Sequence, residues 1–172
     1  MEGTLEWKPI DRHTSLVATR VAVGLMHAPT ARVARIDPEL ADTAQFCHAY
    51  GSPLENSANC VVVAGKRGGE VRYAALMVLA TMRADINNVV RRHLDVRKIS
   101  FAPMGEVVRL TGMEYGGITP VGLPDDWPLL VDEAVVAAGS VVIGSGIRAS
   151  KMLVDSVDLA RLPGAEVLEL AR

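Results

Sequence analysis

The chain has 172 residues, of which 49% are hydrophobic and 22% charged, with 18 Lys and Arg against 20 Asp and Glu. That length suits one domain with one sizeable core, and the composition is globular rather than disordered. Aromatic residues are only 4%, which disfavours a β-propeller, a lectin-like sandwich or a base-stacking surface. The net charge of −2 excludes a global positive field that would draw in nucleic acid or anionic lipid.

Two cysteines, Cys47 and Cys60, cannot build a disulfide framework and lack CxxC spacing. The first residues, Met1 to Glu6, are acidic and polar, unlike a signal peptide. No apolar stretch reaches the ~20 residues of a membrane span. A single cytoplasmic domain over 1–172 is expected, with no membrane contact.

In chain order, the first region reads as a helix capped by Asp11, with Val17, Val21, Leu25 and Ala28 in a stripe and Pro29 as its stop. Ala31 to Ile36 reads as a strand. Asp37-Pro38-Glu39 is a helix start, and Leu40, Ala44, Cys47 and Tyr50 fall on one face before Gly51. A hairpin follows: Cys60 to Ala64, a turn at Gly65 to Gly69, and a return strand from Val71 to Met82. Asp85 caps a short helix whose apolar positions are Ile86, Val89, Val90 and Leu94. Lys98 to Phe101 is a strand, and Gly105 to Thr111 a helix closed by Gly112. The last third is β-rich, with strands at Leu129 to Asp132, Val141 to Ile143, Met152 to Val157 and Val167 to Leu170. Strict βαβ alternation is missing, so the expected class is α+β with a mixed, barrel-like sheet and surrounding helices.

Two segments have unusual glycine placement. Tyr115 to Pro124 packs three glycines and two prolines into ten residues. Such a rigid loop can bring backbone N–H groups close to a carbonyl oxygen that becomes negative during reaction; it can equally be a turn between strands. Val142 to Ala149 satisfies G-x-G-x-x-A, but the strand expected after it stands where a dinucleotide fold needs a helix. No histidine pairs with another ligand at metal spacing, so neither metal nor cofactor is expected. Lys66, in a glycine-rich stretch, matches no phosphate loop. Arg83, Arg91, Arg92, Arg97 and Lys98 form the one basic concentration, able to touch a phosphate backbone or simply to solvate a helix.

The order of these pieces resembles the YbaK/prolyl-tRNA-editing (INS-like) domain family. The matching residues are Thr111-Gly112, Gly116 to Leu123, Val131-Asp132 and Val142 to Gly146. The resemblance covers about residues 31 to 172 and leaves residues 1–30 as a helical extension. It implies a mixed, barrel-like sheet and a free-standing enzyme that hydrolyses the ester of mischarged aminoacyl-tRNA by water attack. On that reading Gly116, Gly117 and Asn59 are catalytic. Ile118, Thr119, Pro120, Thr111, Asp132, Gly144, Ser145 and Gly146 bind substrate, and the partner is the aminoacyl 3′ end of mischarged tRNA.

One position departs from the pattern. Many members carry lysine at the start of the hairpin strand, where this register places Asn59. An amide donates and accepts hydrogen bonds but carries no charge. The alternative reading is therefore a non-catalytic module that binds aminoacyl-adenosine, tRNA or a protein.

Overall fold

The computed structural model describes residues 3–172. Among these, nine strands form two sheets. The four-stranded sheet has the order β1 (Lys8–Pro9), β2 (Arg32–Arg35), β8 (Ser150–Asp155), β7 (Ser140–Gly144), all antiparallel. The five-stranded sheet runs β5 (Lys98–Phe101), β3 (Ala58–Arg67), β4 (Glu70–Leu79), β6 (Leu129–Asp132), β9 (Ala165–Leu168), with β6 parallel to both neighbours. The expected mixed α+β class is what the chain adopts.

Alternation of side chains along the strands divides the apolar residues among several layers. Val33, Met77, Val131, Ile143 and Met152, each no more than 2% exposed, fill the space between the sheets. Val63, Leu76 and Leu130 pack on the opposite face of the five-stranded sheet, against Val90 and Leu170. Val142 and Leu153 face outward from the four-stranded sheet onto Ile36 and Phe46. Phe46 anchors helix α2 (Thr43–Tyr50) there. Burying such a ring contributes about 2–3 kcal/mol.

The sheets touch where an isolated parallel bridge joins Ser57, just before β3, to Val142 of β7. The barrel-like sheet foreseen from the sequence is thus a pair of sheets joined along one seam.

Several boundaries differ from the sequence reading. The N-terminal helix is only α1 (Thr19–Gly24) with a 3₁₀ turn after it, and Asp11 lies in a separate 3₁₀ turn rather than capping it. Asp37 caps only a 3₁₀ turn (Pro38–Leu40), and Asp42 starts α2 afresh. The buried residue of α2 is Phe46, not Ala44. The hairpin turn is the pair Gly68-Gly69, both with positive φ, as a tight turn requires; Gly65 and Lys66 belong to β3.

The helix after Asp85 is a π-helical stretch (Ile86–Val90) passing into α3 (Arg91–His93). Helix α4 (Met104–Thr111) ends at Gly112, as foreseen. Helices α5 (Glu133–Ala137) and α6 (Ser156–Ala160) follow β6 and β8 directly. Each is too short to show a helical period in the sequence, so both read as strand continuations or loops. Among the described residues no helix is long and apolar enough to cross a membrane.

Candidate active site

A cleft of about 320 Å³ opens at the seam between the sheets. Six segments build it: Ser57 to Val61 entering β3, Val142 to Gly144 ending β7, Ala41 to Phe46 of α2 and its approach, Met104 at the start of the helix Met104–Thr111, the loop with Tyr115, Gly116 and Ile118, and Lys151 of β8. Asn59, Met104, Tyr115 and Gly116 are exposed and form its rim; Phe46, Ser57, Ile143 and Lys151 are buried and form its floor.

The glycine–proline loop is held from both sides. Arg148 donates from Nη1 to the Tyr115 carbonyl (3.1 Å) and from Nη2 to the Pro38 carbonyl (2.9 Å), and its own N–H donates to Glu114 Oε2 (3.2 Å). Gly116 has φ +79°, and a Cβ there would lie 2.6 Å from Arg148 Nη1. Only glycine accepts both the left-handed backbone and the guanidinium beside it. Gly144 is pressed equally closely: its Cβ would stand 2.5 Å from the Ile118 carbonyl oxygen and 2.6 Å from that of Gly117. The loop therefore seats directly on the end of β7.

Among the described residues, the N–H groups of Gly116 and Ile118 have no protein acceptor. The Gly117 N–H donates to the Glu114 carbonyl (3.0 Å), and its carbonyl accepts from Gly146 N–H (2.7 Å). Gly117 is thus tied into the loop's own frame and does not line the cleft.

On the opposite rim, Asn59 Oδ1 accepts a 2.8 Å bond from Thr43 Oγ1. That leaves the amide nitrogen of Asn59 as the donor end of the side chain. Next to it, burial pushes the Cys60 thiol up to about 12. The sulfur is a neutral thiol at physiological pH, the opposite of an activated nucleophile.

The cleft also holds a lysine that spacing along the chain does not reveal. Lys151 is 7% exposed. Its Nζ donates to the Ala41 carbonyl (2.8 Å) and lies 5.4 Å from the Phe46 ring centroid. Burial lowers its pKa, and the Arg148 charge adds to that; Cys47 and Asp42 pull the other way. The apolar run around it, Met152 to Val154, marks only a buried strand. Its cross-strand partner Gly144 is the one sequence signal that could have placed it beside the loop.

Asn59, Gly116, Ile118 and Gly144 thus meet in one cleft, and the other expected site residues stand elsewhere. Thr111 is fully buried at the end of α4, donating to the Val107 carbonyl (2.7 Å) and accepting from Met113 N–H (3.2 Å). Thr119 is buried outside the cleft. Pro120 lines a separate hollow with Arg20 and Trp127. Asp132 is 2% exposed and accepts the N–H groups of Ala134, Leu170 and Ala171 (2.9–3.0 Å). Ser145 is buried in a hydrogen-bond knot with Ser150 (2.6 Å). Gly146 packs against Ala18 of the N-terminal region. These residues do not line the cleft and instead build the scaffold around the loop.

Of the basic residues, Arg83 lines a hollow next to the cleft that shares Asn59 and Val61 with it and includes Phe101. Arg91 is turned onto the Asn87 carbonyl (2.8 Å). Lys98 stands opposite Lys66 in the β3–β5 register.

The aminoacyl-tRNA editing domain model matches residues 37–162, a span containing every cleft residue named above. No curated protein sequence matches the chain. Among solved structures, a candidate trans-editing enzyme for prolyl tRNA synthetase has 22% identity and a TM-score of 0.75 over 89% of this chain and 95% of its own. A hypothetical protein, APE2540, has 21% identity and a TM-score of 0.77 over 89% and 99%. A scaffold from epitope backbone grafting has 23% identity and a TM-score of 0.75 over 90% and 97%. The three structures share the fold, and the family match spans well over half of the sequence: the chain belongs to the aminoacyl-tRNA editing domain family.

Proposed function

We propose that the protein is an aminoacyl-tRNA deacylase that removes a wrongly attached amino acid. The observation that carries this reading is the meeting of the Gly116–Ile118 backbone with Asn59 across a cleft of about 320 Å³. Water adds to the ester carbonyl carbon, and the carbonyl oxygen becomes negative. The Gly116 and Ile118 N–H groups donate to that oxygen; one such donor elsewhere is worth about 3–4 kcal/mol in the transition state. Gly117 holds their geometry. The bond from the carbonyl carbon to the ribose oxygen then breaks. The leaving ribose oxygen takes up the proton given up by the attacking water, and free amino acid and tRNA are released.

Asn59 orients the ester from the opposite rim, with Thr43 fixing its amide. Cys60 takes no part as a nucleophile. The hollow with Phe101 and Arg83 continues the cleft along β3 and suits the nucleotides behind the terminal adenosine. Arg91, Arg92, Arg97 and Lys98 are weaker candidates for phosphate contact.

A multiple-turnover assay on a panel of mischarged tRNAs tests this, run beside Asn59→Ala and Asn59→Lys. The expected result is hydrolysis of at least one species in excess over enzyme, reduced about 10- to 100-fold by Asn59→Ala. The neutral amide at Asn59 favours a second reading, a binding module without turnover. Inert wild type with activity appearing in Asn59→Lys would establish it.

A further inference from the structure

The floor and rim of the cleft carry opposite charges. Among the described residues, Lys151 is its one cationic lining residue and Asp42 its one anionic one. Lys151 is on the floor and 7% exposed; Asp42 is exposed at the rim, where its Oδ1 accepts from Ala44 and Gln45 N–H (3.1 and 3.3 Å). A tRNA is far too large to enter, so its ribose and phosphates stay at the rim. The aminoacyl group alone reaches inward. With the ester carbonyl at Gly116, a side chain directed to the floor would meet Lys151, and the α-ammonium would lie at the rim with Asp42.

The Lys151 ammonium has three N–H donors, and among the described residues one is used, on the Ala41 carbonyl. No carboxylate of the described residues forms an ion pair with it. An apolar side chain pushed onto the floor would strip water from the two remaining donors and leave them unpaired, which is heavily penalised. A carboxylate would satisfy them with charge-assisted bonds. Lys151 and Gly144 are a cross-strand pair, so their Cβ directions share one face, the face on which the glycine loop sits.

We propose that Lys151 is the specificity-determining residue of this cleft and selects an aminoacyl side chain that ends in a carboxylate. The proposal rests on the deacylase reading for the position of the ester, but the ligand preference is separable from turnover. Burial disfavours the Lys151 ammonium, and a bound carboxylate would stabilise that charged form.

The test uses the full chain and non-hydrolysable 3′-aminoacylamino-adenosines carrying aspartyl, glutamyl, alanyl and leucyl groups. Calorimetry on the wild type is expected to show the acidic analogues binding about a hundredfold more tightly than the leucyl one, the ratio that charged hydrogen bonds support. In Lys151→Met the ratio should collapse or invert. A merely structural lysine would weaken all four analogues together, so an unchanged ratio in Lys151→Met overturns the proposal. Equal or tighter binding of alanyl or leucyl groups by the wild type does so without any variant, as does failure of the acidic analogues to bind. Turnover on tRNA charged with aspartate or glutamate is measured alongside. Acidic preference without turnover keeps the lysine assignment and removes the deacylase reading. Turnover confined to apolar amino acids does the reverse.

Discussion

Lys151 carries charge in a strand whose neighbours are apolar, and the stability of the protein should register it. Replacing a buried charge that has one hydrogen bond by an apolar side chain of similar length is commonly neutral or stabilising. Lys151→Met is therefore expected to leave Tm unchanged or raise it, a cost to stability kept for binding. The sign with pH follows from the lowered folded-state pKa. Below it, both states are protonated and the burial penalty is complete. Between it and the ordinary 10.5, the unfolded chain holds more protons, so wild-type stability rises with pH. The Tm gap between variant and wild type should then narrow as pH approaches 10.5, which thermal melts across alkaline buffers would show. Cys60 works in the other direction. Its thiol, raised from 9.0 to about 12, contributes stability that is complete below 9.0 and lost as pH climbs through that window. Melts of Cys60→Ala should separate the two. At Gly117, a Cβ would lie 2.8 Å from the Ile147 backbone. Gly117→Ala is expected to cost about 1–3 kcal/mol, or about 2–4 °C of Tm per kcal/mol. Large replacements there report on folding rather than on chemistry.

At the scale of single elements, the wall of the cleft depends on a short helix with a real cap. Asp42 Oδ1 holds the first turn of α2, and α2 supplies Thr43 and Phe46. Asp42→Ala should lower stability by about 1 kcal/mol and weaken ligand binding more than Tm alone accounts for, because the Thr43–Asn59 bond loses its fixed end. Paired melting and calorimetry would check this. The elements that were legible in the sequence had local signals: Leu129–Asp132 as an apolar run, Lys98–Phe101 by alternation, and Gly51 and Gly112 as stops. Those that were not had none. Helices α5 and α6 have five residues each, under two turns, and α1 is shortened by contacts from distant residues: the Ala18 N–H before it donates to the Ser145 carbonyl (3.0 Å). The site divides along the same line. The loop was visible because glycine and proline announce backbone geometry. Lys151 was not, because what makes it special is the Phe46 ring and the Ala41 carbonyl, more than a hundred residues away in sequence.

At the scale of the whole molecule, Asp132 has a role that its motif concealed. One carboxylate starts α5 and receives the N–H groups of Leu170 and Ala171, fastening the C-terminal segment to the five-stranded sheet. Asp132→Ala would leave three donors without an acceptor and should cost about 3 kcal/mol or more, seen as a large drop in the denaturation midpoint. Deacylation measured well below the new midpoint should keep its wild-type kcat, separating scaffold from site. The seam has a further consequence, for the order of events in folding. The strands that bear on the floor join distant parts of the chain: β2 pairs with β8 across more than a hundred residues, whereas the β3–β4 hairpin closes locally. Non-local pairing is slow, because chain closure must precede the contacts that stabilise it. In refolding from denaturant, the hairpin's circular-dichroism signal should return before the cleft can hold an aminoacyl-adenosine analogue. On the ribosome the cleft cannot exist until β8 has emerged, so a nascent chain cannot hold a ligand there before its last third is made.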